Sequence, residues 1–148
     1  MRFVPFVRVA LQCLALSVVF AALAACTARP PKLAKLGDED RILAFGDSLT
    51  YGTGATEQES YPVQLAERIG KTVIKAAIPG EVTEEGLRRL PAVLDEHQPK
   101  LLLLCMGGND MLRKLSDRQT KANLAAMIRL ARERGDSASS CLAYPGRR

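Results

Sequence analysis

Three short stretches of the chain are apolar almost without a break: residues 41–45, 72–78 and 101–106. A continuous apolar run of this length, bounded by glycine, proline and polar residues, predicts a strand buried on both faces of a parallel sheet. Between these runs apolar residues recur every three or four positions. Val63, Leu65, Ala66 and Ile69 predict a helix over Tyr61–Ile69, with Pro62 suited to its first turn and Gly70 to its stop. From Thr83 onward Leu87, Leu90, Val93 and Leu94 form a second stripe while Glu84, Glu85, Arg88 and Arg89 face away; Pro91 inside it predicts a kink or a division. A last helix is predicted over residues 117–135, capped by Ser116, with Leu124, Ile128 and Ala131 turned inward. Strand alternating with helix predicts an α/β fold, a parallel sheet covered by helices on both faces.

The N-terminal segment follows a different pattern. Arg2 and Arg8 precede an almost unbroken run of Ala, Leu, Val and Phe that ends in Leu23-Ala24-Ala25-Cys26. A basic start, an apolar middle and small residues before a cut describe an export signal, with a retained anchor helix as the alternative. The ending resembles a bacterial lipobox, which implies residues 1–26 as a lipoprotein signal, lipid on Cys26, and an exported, membrane-anchored protein of the periplasm or cell envelope. Residues 27–40, with Pro30, Pro31 and an Asp-Glu-Asp run, read as a tether to a domain over residues 41–135.

Composition narrows the function by exclusion. The formal charge of +5 drops by two with Arg2 and Arg8, and the remaining basic residues are scattered. With no Trp and few aromatics, no nucleic-acid surface is expected. The cysteines left after the leader, Cys105 and Cys141, have neither metal-ligand nor disulfide spacing, so no metal is expected and Cys105 reads as a small core residue.

All three predicted strands empty into glycine-marked loops: Gly46-Asp47-Ser48, Pro79-Gly80 and Gly107-Gly108-Asn109-Asp110. In a parallel α/β sheet these loops share the carboxyl rim, where ligands bind. Ser48 is there either as a nucleophile at the mouth of a crevice or as the cap of a following helix. Acyl transfer needs a nucleophile, a base and donors aimed at the developing oxyanion. The backbone N–H groups of Ser48 and Gly80, with the Asn109 amide, are candidate donors.

At these residues the chain resembles the SGNH, or GDSL, hydrolase family, and within it the arylesterase, lysophospholipase and acyl-CoA thioesterase branch. Gly46-Asp47-Ser48 resembles the nucleophile block, Gly80 sits at the oxyanion glycine, and Gly107-Gly108-Asn109-Asp110 resembles the block of the oxyanion asparagine. The resemblance implies a three-layer α/β/α sandwich of flavodoxin-like type, needing no metal or organic cofactor. It also implies a small ester or thioester substrate that acylates Ser48. The family's Asp-x-x-His block, which holds the base, has no counterpart in these 148 residues. His97 precedes the third predicted strand and is therefore expected about 20 Å from the rim, beyond the reach a base requires. Its absence implies impaired catalysis, with a non-catalytic envelope lipoprotein or a decayed hydrolase as the alternative. Residues 136–148 are polar where a fourth strand is due. A shifted reading frame near Gly135 would account for this, and the edge of the third strand would then stand uncovered.

Overall fold

The computed structural model describes residues 35–134 and the backbone of Ser139–Leu142. The leader with Cys26, the first part of the expected tether and most of the polar tail lie outside the described residues. Four parallel strands form one sheet in the order β2-β1-β3-β4: β1 Ile42–Gly46, β2 Val73–Ala77, β3 Leu101–Cys105 and β4 Ser139–Leu142. The helices are α1 Ser48–Tyr51, α2 Tyr61–Ile69, α3 Thr83–His97, α4 Gly108–Leu112 and α5 Asp117–Arg134.

β1 is central, and all five of its residues are buried. Strand alternation sends Leu43 and Phe45 to one face, where with Leu102 and Leu104 of β3 they meet Leu90 and Leu94 of α3 and Leu124, Met127 and Ala131 of α5. Each of the Leu, Phe and Met side chains among them contributes roughly 1.5–3 kcal/mol by leaving water. Gly86 lets α3 lie close to the sheet, since a Cβ there would be 2.5 Å from Met106 Sδ. Met127, not part of the predicted stripe, completes it at the spacing 124, 127, 128, 131.

Three expectations need correction. Pro91 does not divide its helix: α3 runs unbroken from Thr83 to His97. The proline removes one N–H donor, and the buried faces of Leu90 and Leu94 hold the helix on either side of it. The tail is not without a strand, because Ser139–Leu142 pairs in parallel with Leu101–Leu104. Backbone pairing asks nothing of side-chain polarity, so a polar segment can occupy the edge and β3 is an inner strand. The second predicted strand is not buried on both faces: β2 is an outer strand, it carries Lys75, and all five of its residues are half-buried. At the end of the 27–40 segment Gly37 N–H donates to Asp40 Oδ2 at 2.7 Å, and Lys71 Nζ lies 3.1 Å from Asp38 Oδ1.

Candidate active site

Gly46 ends β1 between two paired neighbours, Ala77 and Cys105. A Cβ at this position would strike Thr50 Oγ1 and lie 2.5 Å from the Cys105 carbonyl oxygen, so only glycine fits. Asp47 then caps α1, its Oδ1 accepting from Leu49 N–H at 3.1 Å. Ser48 opens that helix, partly exposed, and its hydroxyl makes no hydrogen bond among the described residues. The capping task that serine often performs falls to its neighbour, and the Ser48 hydroxyl is spared.

The loop after β3 turns at Gly107, φ +106°, into α4. From α4 the Asn109 side-chain nitrogen donates to the Glu81 carbonyl oxygen at 3.0 Å and to Asp47 Oδ2 at 3.3 Å. Both partners are acceptors, which fixes the amide with its nitrogen toward them. One side chain thus joins the residue before Ser48, the residue after Gly80, and the β3 loop. Gly108 closes against the same carboxylate: a Cβ on it would be 3.7 Å from Asp47 Oδ2.

Gly80 belongs to a tight turn in which Glu81 N–H donates to the Ile78 carbonyl at 3.2 Å. Proline at its second position and glycine with φ +80° at its third give the type II turn, which needs a residue free of Cβ strain. Beside it the buried Glu81 carboxylate is gripped in two-pronged fashion by Arg89, Nε to Oε1 at 2.9 Å and Nη2 to Oε2 at 2.6 Å. The Arg89 guanidinium in turn lies 4.1 Å from the centroid of the Phe45 ring.

Asp110, one residue beyond Asn109 and 3% exposed, is the anchor beneath. Its carboxylate accepts from Thr83 N–H at 2.9 Å, from Thr83 Oγ1 at 2.5 Å and from Thr120 Oγ1 at 3.2 Å. Asn123 Nδ2 completes the link by donating to Thr83 Oγ1 at 3.1 Å. These bonds tie α4 to the start of α3 and to α5. Burial pushes the Asp47 carboxyl above its ordinary value of 3.8; the Leu49 N–H opposes this, and the nearby negative charges of Glu81 and Asp110 add to it.

The structure therefore gathers Gly46, Asp47, Ser48, Gly80, Gly107, Gly108, Asn109 and Asp110 at the carboxyl ends of β1, β2 and β3. His97 is not among them. It ends α3 and lines a cavity of about 700 Å³ with Arg41, Pro99 and Lys100, the residues that lead into β1 and β3 at the opposite edge. Arg89 does not face away with Glu84, Glu85 and Arg88 as expected: it turns in to the Glu81 carboxylate and the Phe45 ring, because a buried carboxylate needs a charged partner. Glu81 and Arg113 are not singled out by the sequence, although the four-residue step from Asn109 to Arg113 would have paired those two had α4 been foreseen.

A parallel α/β sheet with a spared serine just beyond the carboxyl end of β1, and an asparagine amide bonded to the residue before it, defines a class: enzymes and binding proteins that hold their ligand at the carboxyl rim. Within that class the match is specific. Residues 44–146 match the model of the GDSL-like Lipase/Acylhydrolase family, and the chain belongs to that family. It is 37% identical over 101 residues to an arylesterase of Vibrio mimicus, covering 65% of this chain and 50% of the relative. It is 38% identical over 91 residues to thioesterase 1/protease 1/lysophospholipase L1 of Escherichia coli (strain K12), covering 60% and 44%. The chain thus spans about half the length of the curated relatives it matches. Among solved structures, AlinE4, an SGNH-hydrolase family esterase, superposes with a TM-score of 0.64 at 35% identity over 73% of this chain and 60% of that one.

Proposed function

We propose that this chain carries the nucleophile and the anion-stabilising groups of a serine ester hydrolase. Ser48 Oγ attacks the acyl carbon, the carbonyl oxygen gathers negative charge, and the N–H groups of Ser48 and Gly80 with the Asn109 amide receive it. The Oγ–C bond forms as the serine proton passes to solvent. The bond from the acyl carbon to the leaving oxygen or sulfur then breaks, with the alcohol or thiol reprotonated from solvent, and water later releases the acid and restores the hydroxyl. The observation that carries this reading is the Asn109 amide bridging the loops of Asp47 and Glu81 beside an unengaged serine hydroxyl. The names of the relatives support aryl esters, lysophospholipids or thioesters as the substrate class. Lipid on Cys26 would hold the domain at a bacterial envelope membrane.

Placement of His97 at the far edge favours a second reading, a non-catalytic envelope protein that uses the same crevice for binding. A fluorophosphonate probe separates the two. Stoichiometric labelling that disappears in Ser48→Ala supports the nucleophile, at a slow rate because no imidazole stands at the rim among the described residues. A chain that stays unlabelled over days supports the binding protein.

A further inference from the structure

Asn109 has a conflict of duties under the hydrolase reading, on which the following inference rests. Its nitrogen carries two hydrogens, and both are engaged, one at the Glu81 carbonyl and one at Asp47 Oδ2. An arriving oxyanion must take one of them, and the Asp47 bond, at 3.3 Å against 3.0 Å, is the longer. With the Asp47 bond given up, Asn109 keeps only its bond to the Glu81 carbonyl, and a second tie between the Gly80 turn and α4 then decides how firmly the two stay in register.

Arg113 supplies this second tie. Its guanidinium Nη2 donates to the Gly80 carbonyl oxygen at 2.7 Å, a charge-assisted bond. Its backbone N–H donates to the Asn109 carbonyl at 2.9 Å. One residue is therefore bonded to both candidate oxyanion residues, through groups the substrate does not need. The consecutive carbonyls of Gly80 and Glu81 are held from residues 113 and 109, one helical turn apart. Lys114 with φ +56° ends α4 directly after Arg113, a left-handed conformation that side chains seldom adopt. In a type II turn the peptide that carries the Gly80 N–H can rotate only if its flanking peptides move or φ at Gly80 changes sign. Fixing the Gly80 carbonyl fixes one of those flanks.

We propose that Arg113 is a positioning residue, which holds the Gly80 N–H at a set distance from the Asn109 amide and so aligns the anion-stabilising pair without touching the reacting atoms. The contact is exposed, so it adds little to overall stability.

The test uses the full chain and a fluorophosphonate probe, whose phosphoryl oxygen occupies the oxyanion position as the Ser48 Oγ–P bond forms and fluoride leaves, the serine proton passing to solvent. Saturation kinetics of labelling separate probe binding from the bond-forming step. Arg113→Met is expected to slow bond formation about tenfold and to leave probe affinity within about twofold. Arg113→Lys, which keeps one charged donor, is expected to recover most of the loss. Hydrogen exchange of the amides over residues 78–82 is expected to quicken about tenfold in Arg113→Met, with exchange over β1 unchanged. Labelling of Arg113→Met at the wild-type rate, or a loss confined to probe affinity, overturns the proposal. Should the wild-type chain take no label, the hydrolase reading falls, and the exchange measurement decides alone: faster exchange over 78–82 supports the positioning role, and unchanged exchange refutes it.

Discussion

Asp110→Ala is expected to cost the domain about 3–4 kcal/mol, a figure that follows from what the carboxylate leaves behind. Asp110 is buried and accepts from the backbone N–H and the hydroxyl of Thr83, at the first turn of a fifteen-residue helix. Removing it strands both donors, each at roughly 1–3 kcal/mol. The Thr120 hydroxyl is spared, because it also has the Ser116 carbonyl oxygen at 3.1 Å. The lost favourable contact of a carboxylate with the N-terminus of α3 adds a few tenths to about 1 kcal/mol. Against a typical total of about 5–15 kcal/mol this is a large fraction. The chain has no Trp, so urea unfolding at neutral pH is best followed by far-ultraviolet circular dichroism. Asp110→Asn, which keeps one acceptor oxygen, should lose about half as much. The pair Asp110→Asn and Thr83→Val should be non-additive by about 1 kcal/mol or more, since both remove the same bond. A loss under about 1 kcal/mol for Asp110→Ala, or strict additivity in the pair, would refute the assignment of Asp110 as the anchor of the three helices.

Two glycines offer a contrast in how close approach is tolerated. Gly46→Ala should cost about 3 kcal/mol or more, because the added carbon meets Thr50 Oγ1 and the backbone oxygen of Cys105, neither of which can withdraw; thermal melting measures it. Gly86→Ala meets Met106 Sδ at 2.5 Å and Met106 Cε at 2.8 Å, flexible atoms that can move aside, so a loss of about 1 kcal/mol is expected in the same assay. The Asp47 carboxyl is raised above 3.8 in the folded chain, chiefly by burial, so the fold binds its proton more tightly than the unfolded chain does. Stability relative to Asp47→Asn should therefore be greatest below about pH 3.8 and fall as pH rises through the folded value; a rise over that interval, read from urea midpoints, contradicts it.

The sheet was legible in the sequence because β1 and most of β3 are buried on both faces, where almost nothing but apolar residues is admitted, and because β2, an outer strand of half-buried residues, is apolar apart from Lys75; residues 41–45, 72–78 and 101–106 thus mark β1, β2 and β3 to within a residue or two at each end. Tyr61–Ile69 was readable to its ends because Pro62 and Gly70 are local signals, and Gly70 adopts φ +60° as the stop requires. The short helices α1 and α4 were not, since four or five residues show no period. β4 was hidden for another reason: it is chosen by the unpaired edge of β3, a property of the fold and not of Ser139–Leu142. At the site, Asp47, Ser48, Gly80 and Asn109 could be read from their loops. The grip of Arg89 on Glu81 across eight residues, and of Arg113 on Gly80 across thirty-three, depends on how loops face each other and leaves no local trace.

The position of β1 determines the order in which the site would come apart. Ser48 is rooted in a strand bonded on both sides and wholly shielded from water, whereas the Gly80 turn hangs from β2, an outer strand whose residues are all half-buried. Warming or mild denaturant should loosen β2 well before β1 gives way. On the hydrolase proposal, a partly melted molecule would keep its hydroxyl in place while losing one of the groups proposed to steady the charge. Loss of chemistry would then precede loss of structure, and it would be regained on cooling without refolding of the core.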